Sequence, residues 1–190
     1  MGSFKELIIQ NRSYRRFDAS KAINKDELYD MIDTARLTAS AANLQPLRYK
    51  IVNDKEGSVK VFSTLKWAGY LPEWDGPSES EQPAAYIILL FETALKKFAF
   101  DEGIAAHTIT LSAAEKGYGC CILLNCNSKK LFSLLNIDDA KYTFSSVIAI
   151  GVPAENIILE EVKDGDIKYY RDNQGTHHVP KRPLSEVIIE

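Results

Sequence analysis

The residue types able to do chemistry gather at three places. Arg12, Ser13, Arg15 and Arg16 fall within five positions, and Lys181 and Arg182 repeat the basic theme near the other end of the chain. An arginine offers a planar fork of N–H donors that suits phosphate, and Ser13 adds a hydroxyl donor. Between the clusters, Ser40-Ala41-Ala42-Asn43-Leu44-Gln45 supplies hydroxyl and amide groups without bulk. Such a segment lets a flat ring approach the backbone, and it is also the composition of a plain polar loop. Each basic cluster alone reads as a solvated charge run. The chain has 23 Lys+Arg against 26 Asp+Glu, a formal net charge of −3. In that setting two cationic clusters suit a small phosphorylated ligand better than a polyanion, and nucleic acid is disfavoured as a partner.

Other chemistries find no support. The sequence holds no Gly-x-Gly-x-x-Gly after a strand, no Walker loop, no Gly-x-Ser-x-Gly elbow, no His-Glu-x-x-His and no Cys-x-x-Cys. Cys120 and Cys121 are neighbours on a predicted strand, so their side chains point to opposite faces and read as buried structural thiols. His107 lies on an apolar helix and reads as a core histidine. His177-His178 sit in a Gly-containing turn region with no carboxylate at ligand spacing. No metal site is expected, and no hydrolytic triad can be assembled.

The elements that must position these groups follow from periodicity. A short helical stripe, Phe4, Leu7 and Ile8, stops near Asn11. Asn24 with Glu27 three residues on reads as a capping box, followed by Leu28, Met31, Ile32 and Ala35 at helical spacing. Strands are predicted over 48–52, 85–91, 120–124 and 146–150. Helices are predicted over 55–65, with Val59, Phe62 and Leu65 inward, over 101–116, closed by Gly117, and after a Ser128 cap. The stretch 67–83 is a long surface excursion that could serve as a lid, and 155–190 is a polar arm whose end, 186–190, is β-rich. The 190 residues suit a single domain spanning 1–190. Its architecture is expected to be an α+β, three-layer α-β-α sandwich: a mostly antiparallel sheet of four or five strands with helices on both faces. The longest apolar run, Ala84 to Phe91, is too short for a membrane span. Residues 1–6 show no basic region followed by an apolar segment, and three cysteines lack framework spacing, so a cytoplasmic location is expected.

Taken in order, these pieces resemble the nitroreductase family of FMN-dependent oxidoreductases. Arg12-Ser13-Tyr14-Arg15-Arg16-Phe17 looks like the family's opening motif, and Ser40-Ala41-Ala42-Asn43-Leu44-Gln45-Pro46 like its Pro-Ser-x-x-Asn-x-Gln-Pro-Trp loop. Asp101 to Ala106 and Ala113 to Cys120 resemble its central helix and the glycine turn after it. Val179-Pro180-Lys181-Arg182-Pro183-Leu184 looks like its closing basic motif. The resemblance implies that Arg12, Ser13, Arg15, Lys181 and Arg182 hold the phosphate and ribityl end of FMN. It also implies that Ser40, Asn43 and Gln45 line the flavin from the partner of a homodimer, and that Leu124 brings a backbone N–H to the flavin N5. The C-terminal arm is expected to be exchanged between subunits.

The chain departs from the family pattern at Asn11, where an arginine is usual, at Ala39 in place of proline, at Leu47 in place of tryptophan, and at Leu124-Asn125 in place of a glycine-containing pair. On this resemblance the flavin carries the chemistry and no residue of the chain is itself catalytic. NADH or NADPH reduces FMN, which passes hydride in a ping-pong cycle to a nitroaromatic, a quinone or another small acceptor. Trp67, Tyr70 and Trp74 could wall the substrate side, or simply pack. Two rivals stay open: a same-fold flavoenzyme of different chemistry (dehydrogenase, dehalogenase or flavin-fragmenting), and a non-catalytic FMN-binding protein.

Overall fold

A computed structural model describes residues 3–189 of the chain. Its centre is a four-stranded, wholly antiparallel sheet of β1 (Leu47–Val52), β2 (Ala85–Glu92), β3 (Gly119–Leu123) and β4 (Tyr142–Gly151) in the order β1-β2-β4-β3. Strand β2 shows why both faces are covered. Seven consecutive residues, Ala85 to Phe91, are buried. Their side chains alternate between two cores, Ala85, Ile87 and Leu89 to one side and Tyr86, Ile88 and Leu90 to the other.

Helices α2 (Lys25–Arg36) and α4 (Ala99–Glu115) fill the first core with Leu28, Met31, Ala105 and Ile109. Helices α3 (Lys55–Phe62) and α5 (Ser128–Leu135) fill the second with Val61, Leu131 and Phe132. This is the expected α-β-α sandwich. Cys120 enters the first core and Cys121 the second, as a period of two requires.

The short α1 (Phe4–Gln10) begins at a capping box between Ser3 and Glu6. Helix α2 starts at Asn24, whose side chain accepts from the Asp26 amide at 3.1 Å. Gly117, at φ +83°, ends α4 in the left-handed conformation that glycine adopts freely.

Three local expectations need correction. In α3 the inward residues are Gly57 and Val61, whereas Val59 is exposed. Phe62 and Leu65 pack against the second core as expected, although the helix itself ends at Phe62. The cap of α5 is Asn127, whose side chain accepts from the Lys130 amide, rather than Ser128.

The third correction concerns the end of the arm, 186–190, which follows a stretch left unassigned by periodicity. Residues 157–181 fold back on their own chain as a small sheet, with β5 (Ile157–Glu161) parallel to β7 (His177–Lys181) and β6 (Tyr170–Arg171) antiparallel to β7. A buried carboxylate anchors this return. Glu155, its side chain 1% exposed, accepts from the backbone amides of Arg15 and Arg16 and pairs with Arg171 at 2.9 Å.

The strand expected over 186–190 is replaced by a helical turn, α6 (Leu184–Val187), started by Pro183 and braced by Arg182 on Glu186. Residue 190 lies outside the described residues. Leu184, Val187, Ile188 and Ile189 stand exposed at the end of the chain. No helix among the described residues is long and apolar enough to cross a membrane.

Candidate functional site

A groove of about 360 Å³ opens where the N-terminal segment, α4, β3 and the folded-back arm meet. Asn11, Arg12, Ser13 and Arg15 form one wall, His107 and Thr110 of α4 another, and Tyr169, His177, Val179 and Lys181 the third, with Cys120 and Ile122 of β3 beneath.

Local hydrogen bonding explains this convergence. The Asn11 amide group donates to the Thr110 hydroxyl at 2.9 Å, and the Tyr14 amide donates to the Cys120 carbonyl at 2.8 Å. Gly119 makes the second contact possible, because a Cβ there would stand 2.7 Å from the Tyr14 ring. A strand reading of 177–181 puts His177, Val179 and Lys181 on one face, and that face lines the groove.

Arg15 is the fixed cation of the site. Its guanidinium lies 4.6 Å from the centre of the Tyr169 ring, and its Nη1 donates to the Ser13 carbonyl at 3.1 Å. The same nitrogen stands 3.2 Å from His177 Nε2. Arginine has only donors, so His177 Nε2 must be the acceptor and the ring proton sits on Nδ1.

His177 is 1% exposed, and its Nδ1 is buried without a hydrogen-bond partner. Burial, with the Arg15 charge beside it, pushes its pKa down to about 4, so the ring is neutral at ordinary pH. Arg12 turns back on α1, where Nη2 donates to the Ile8 carbonyl at 2.5 Å while Nε is buried without a partner. Burial lowers its pKa.

Ser13 and Lys181 sit at the exposed rim of the groove. Arg182, one residue on, turns instead to Glu186 at 2.8 Å and does not line it. His178 points to the other face of β7, where Glu160 and Asp172 bracket its ring nitrogens at 3.1 and 3.2 Å. His107 is exposed on the groove, contrary to the core placement expected of it. It lies on the side of α4 that this chain leaves uncovered.

The polar loop lies elsewhere. Ser40 bonds Asp101 in the first turn of α4, whereas the groove meets α4 at His107 and Thr110. Nine residues of helix, at 1.5 Å each, separate Asp101 from Thr110 by about 13 Å. One chain therefore does not bring Ser40, Asn43 and Gln45 together with Arg15 and Lys181. Leu124, just past β3, is 70% exposed and continues the face of Ile122.

The three aromatics of the 67–83 excursion pack within the chain. Trp67 is buried in the second core and Tyr70 packs on Tyr169 at 5.0 Å. Trp74 lies under the guanidinium of Arg171 at 4.3 Å, with that of Arg16 at 5.9 Å. None of the three lines the groove, because large apolar rings and cationic partners bury one another first.

The sequence model of the family described as "Nitroreductase family" matches residues 8–79, which hold both Arg12-Ser13-Tyr14-Arg15 and the loop Ser40–Gln45. That segment is similar in sequence to the nitroreductase family. The chain is 27% identical over 188 residues to the "Putative NAD(P)H nitroreductase MhqN" of Bacillus subtilis (strain 168), covering 80% of this chain and 89% of that protein. In three dimensions it is similar to the "nitroreductase family protein" from Streptococcus pneumoniae TIGR4, with a TM-score of 0.69 at 17% identity and coverage of 99% of this chain and 100% of the other. It is also similar to a "putative nitroreductase in complex with fmn" from Desulfovibrio desulfuricans, with a TM-score of 0.69 at 19% identity, covering 100% and 97% of the two chains.

Four residues of this nitroreductase fold matter to the site and escaped sequence reasoning. Tyr169, His177 and Glu155 shape the arginine wall, and Asp101 holds the polar loop. Alternation along 177–181 would have linked His177 to Lys181. Nothing in the sequence marks Glu155 as the partner of residues 140 positions away.

Proposed function

We propose that the protein is an FMN-dependent oxidoreductase that takes hydride from NADH or NADPH and delivers it to a small oxidised acceptor such as a nitroaromatic or a quinone. The observation that carries this reading is the groove wall of Arg15, Lys181 and Ser13. It offers cationic and hydroxyl donors to a phosphate, beside two buried nitrogens, Arg12 Nε and His177 Nδ1, that lack a partner among the described residues. Such donors fit a phosphorylated cofactor of modest size.

Arg15 is held by Tyr169 and His177, so its fork is oriented before any ligand arrives. Arg12 adds positive charge from behind, and Lys181 closes the rim. Arg182 contributes charge at a distance, its side chain being engaged by Glu186.

The ring-binding groups, Ser40, Asn43 and Gln45, sit about 13 Å further along α4. Two copies of the chain packed about their central helices would let each complete the other's site. A homodimer is therefore part of the proposal, and the exposed Phe100 and Ile104 on α4 support it. Leu124 stays as the backbone donor toward the ring. When bound, FMN supplies the hydride relay, so the chain has to bind, orient and shield rather than act as acid, base or nucleophile. The three free cysteines, two of them buried, suit a cytoplasmic setting.

The test is an absorbance spectrum of the protein supplied with FMN, before and after anaerobic addition of NADH or NADPH. A bound flavin spectrum that bleaches is the expected result. A bound flavin that stays oxidised would make the chain a flavin carrier, and failure to retain FMN would overturn the proposal.

A further inference from the structure

Asp101 is a buried carboxylate, 4% exposed, in the first turn of α4. Acidic side chains commonly stand there to face the free amides of the helix end. Both oxygens of Asp101 are engaged elsewhere. Oδ2 accepts from the Ser40 hydroxyl at 2.7 Å, and Oδ1 accepts from the Ala41 amide at 3.0 Å. The Ser40 oxygen in turn accepts from the Gln45 amide at 3.0 Å. A single relay from Asp101 through Ser40 thus ties both ends of the loop to the central helix.

The loop needs such a tie. Ala42, Asn43 and Gln45 have φ values of +49°, +54° and +48°. Residues with a Cβ avoid this left-handed region, and three of them within four positions persist only where the surroundings impose it. The residues at 42–45 are all exposed, so packing does not impose it. Of the groups that touch the loop, the Asp101 carboxylate is the one that is charged, buried and rooted in a long helix.

We infer that Asp101 is the positioning residue of the ring-binding half-site. Its carboxylate, acting through Ser40 and Ala41, holds residues 40–45 in the left-handed turn that presents Ser40, Asn43 and Gln45. The inference rests on the flavin reading for what the loop binds, but not for how the loop is held.

Two measurements test it. Asp101→Asn keeps the volume but removes the charge and replaces one acceptor oxygen by a donor, so the side chain can no longer accept from both the Ser40 hydroxyl and the Ala41 amide. In the cofactor-free protein the Ala41 and Gln45 amides should exchange with solvent about tenfold faster or more, and FMN binding, followed by flavin fluorescence, should weaken by a similar factor. Ser40→Ala breaks the relay at its middle, so D101N should cost less in that background than in the unaltered protein.

Unchanged amide exchange, unchanged FMN affinity or strictly additive effects would each overturn the positioning role. Should D101N fail to fold, Ser40→Ala alone tests the relay through the Gln45 amide, whose exchange should rise. If the unaltered protein binds no FMN, the flavin reading fails, and amide exchange still decides whether Asp101 holds the loop.

Discussion

Replacing His177 with glutamine should remove a defined part of the acid sensitivity of this fold. His177 is buried, neutral, and accepts a hydrogen bond from Arg15, with its pKa pushed from 6.5 down to about 4. Between those two pH values the unfolded chain binds a proton that the folded chain refuses. Stability therefore falls as pH drops through this window, by up to about 1.4 kcal/mol per pH unit and by about 3 kcal/mol in all. Glutamine can place an oxygen near the position of Nε2, keeping the acceptor for Arg15 without the titration. The assay is urea unfolding of the cofactor-free protein and of H177Q at pH 7.5, 6 and 5. At pH 7.5 the two should differ little. By pH 5 the variant should have gained about 2 kcal/mol on the unaltered protein. Parallel loss of stability in both proteins would mean that the ring is protonated in the fold, and the assignment of Nε2 as acceptor would be wrong.

Arg15→Ala should weaken FMN binding by about ten- to a hundredfold, the worth of a hydrogen bond to a charged group, and Lys181→Ala by less because it sits at the rim; fluorescence titration reads both. The His178 clasp should have a two-sided pH window. Its pKa is raised, first by the hydrogen bond with Asp172, so its contribution is present below 6.5 and lost as pH rises through the higher folded value. Asp172 is lowered, first by His178, so its share is present above 3.8 and lost as pH falls through the lower folded value. An NMR titration of His178 should show the raised value, and Asp172→Asn should bring it down. Gly119→Ala forces a Cβ to 2.7 Å from the Tyr14 ring and should cost about 1–3 kcal/mol, seen as a lower melting temperature. Gly69→Ala, where a Cβ meets nothing within 4 Å, should be neutral within about 0.5 kcal/mol.

Much of the sandwich was legible because burial writes itself into periodicity. The run Ala85 to Phe91 has no polar residue, and it became the strand covered on both faces. Helix α2 announced itself through Asn24 and the spacing of Leu28, Met31 and Ala35. Helix α3 was misread because Val59 and Val61 are equally apolar and only tertiary packing chooses between them.

Arg15 and Lys181 could be paired from composition and order. Arg182 could not be separated from Lys181, since strand alternation and the Glu186 contact decide which one faces the groove. The small sheet within 157–181 was the largest omission. Its return depends on Glu155, a single polar residue whose partners are an arginine 16 positions on and two backbone amides about 140 positions back. Local patterns do not encode a contact of that span.

That span has a consequence for biosynthesis. Glu155 joins the beginning of the chain, at Arg15 and Arg16, to Arg171 near its end, and the groove adds His177 and Lys181 beyond that. While the chain emerges from the ribosome, the four-stranded sheet can close once Gly151 is available, but the groove wall cannot. The arginine segment therefore waits, through synthesis of residues 152–181, with its fork unsupported. On the proposed function, cofactor capture has to wait until Lys181 has been made. A premature stop anywhere before Lys181 should leave a folded core with no completed pocket.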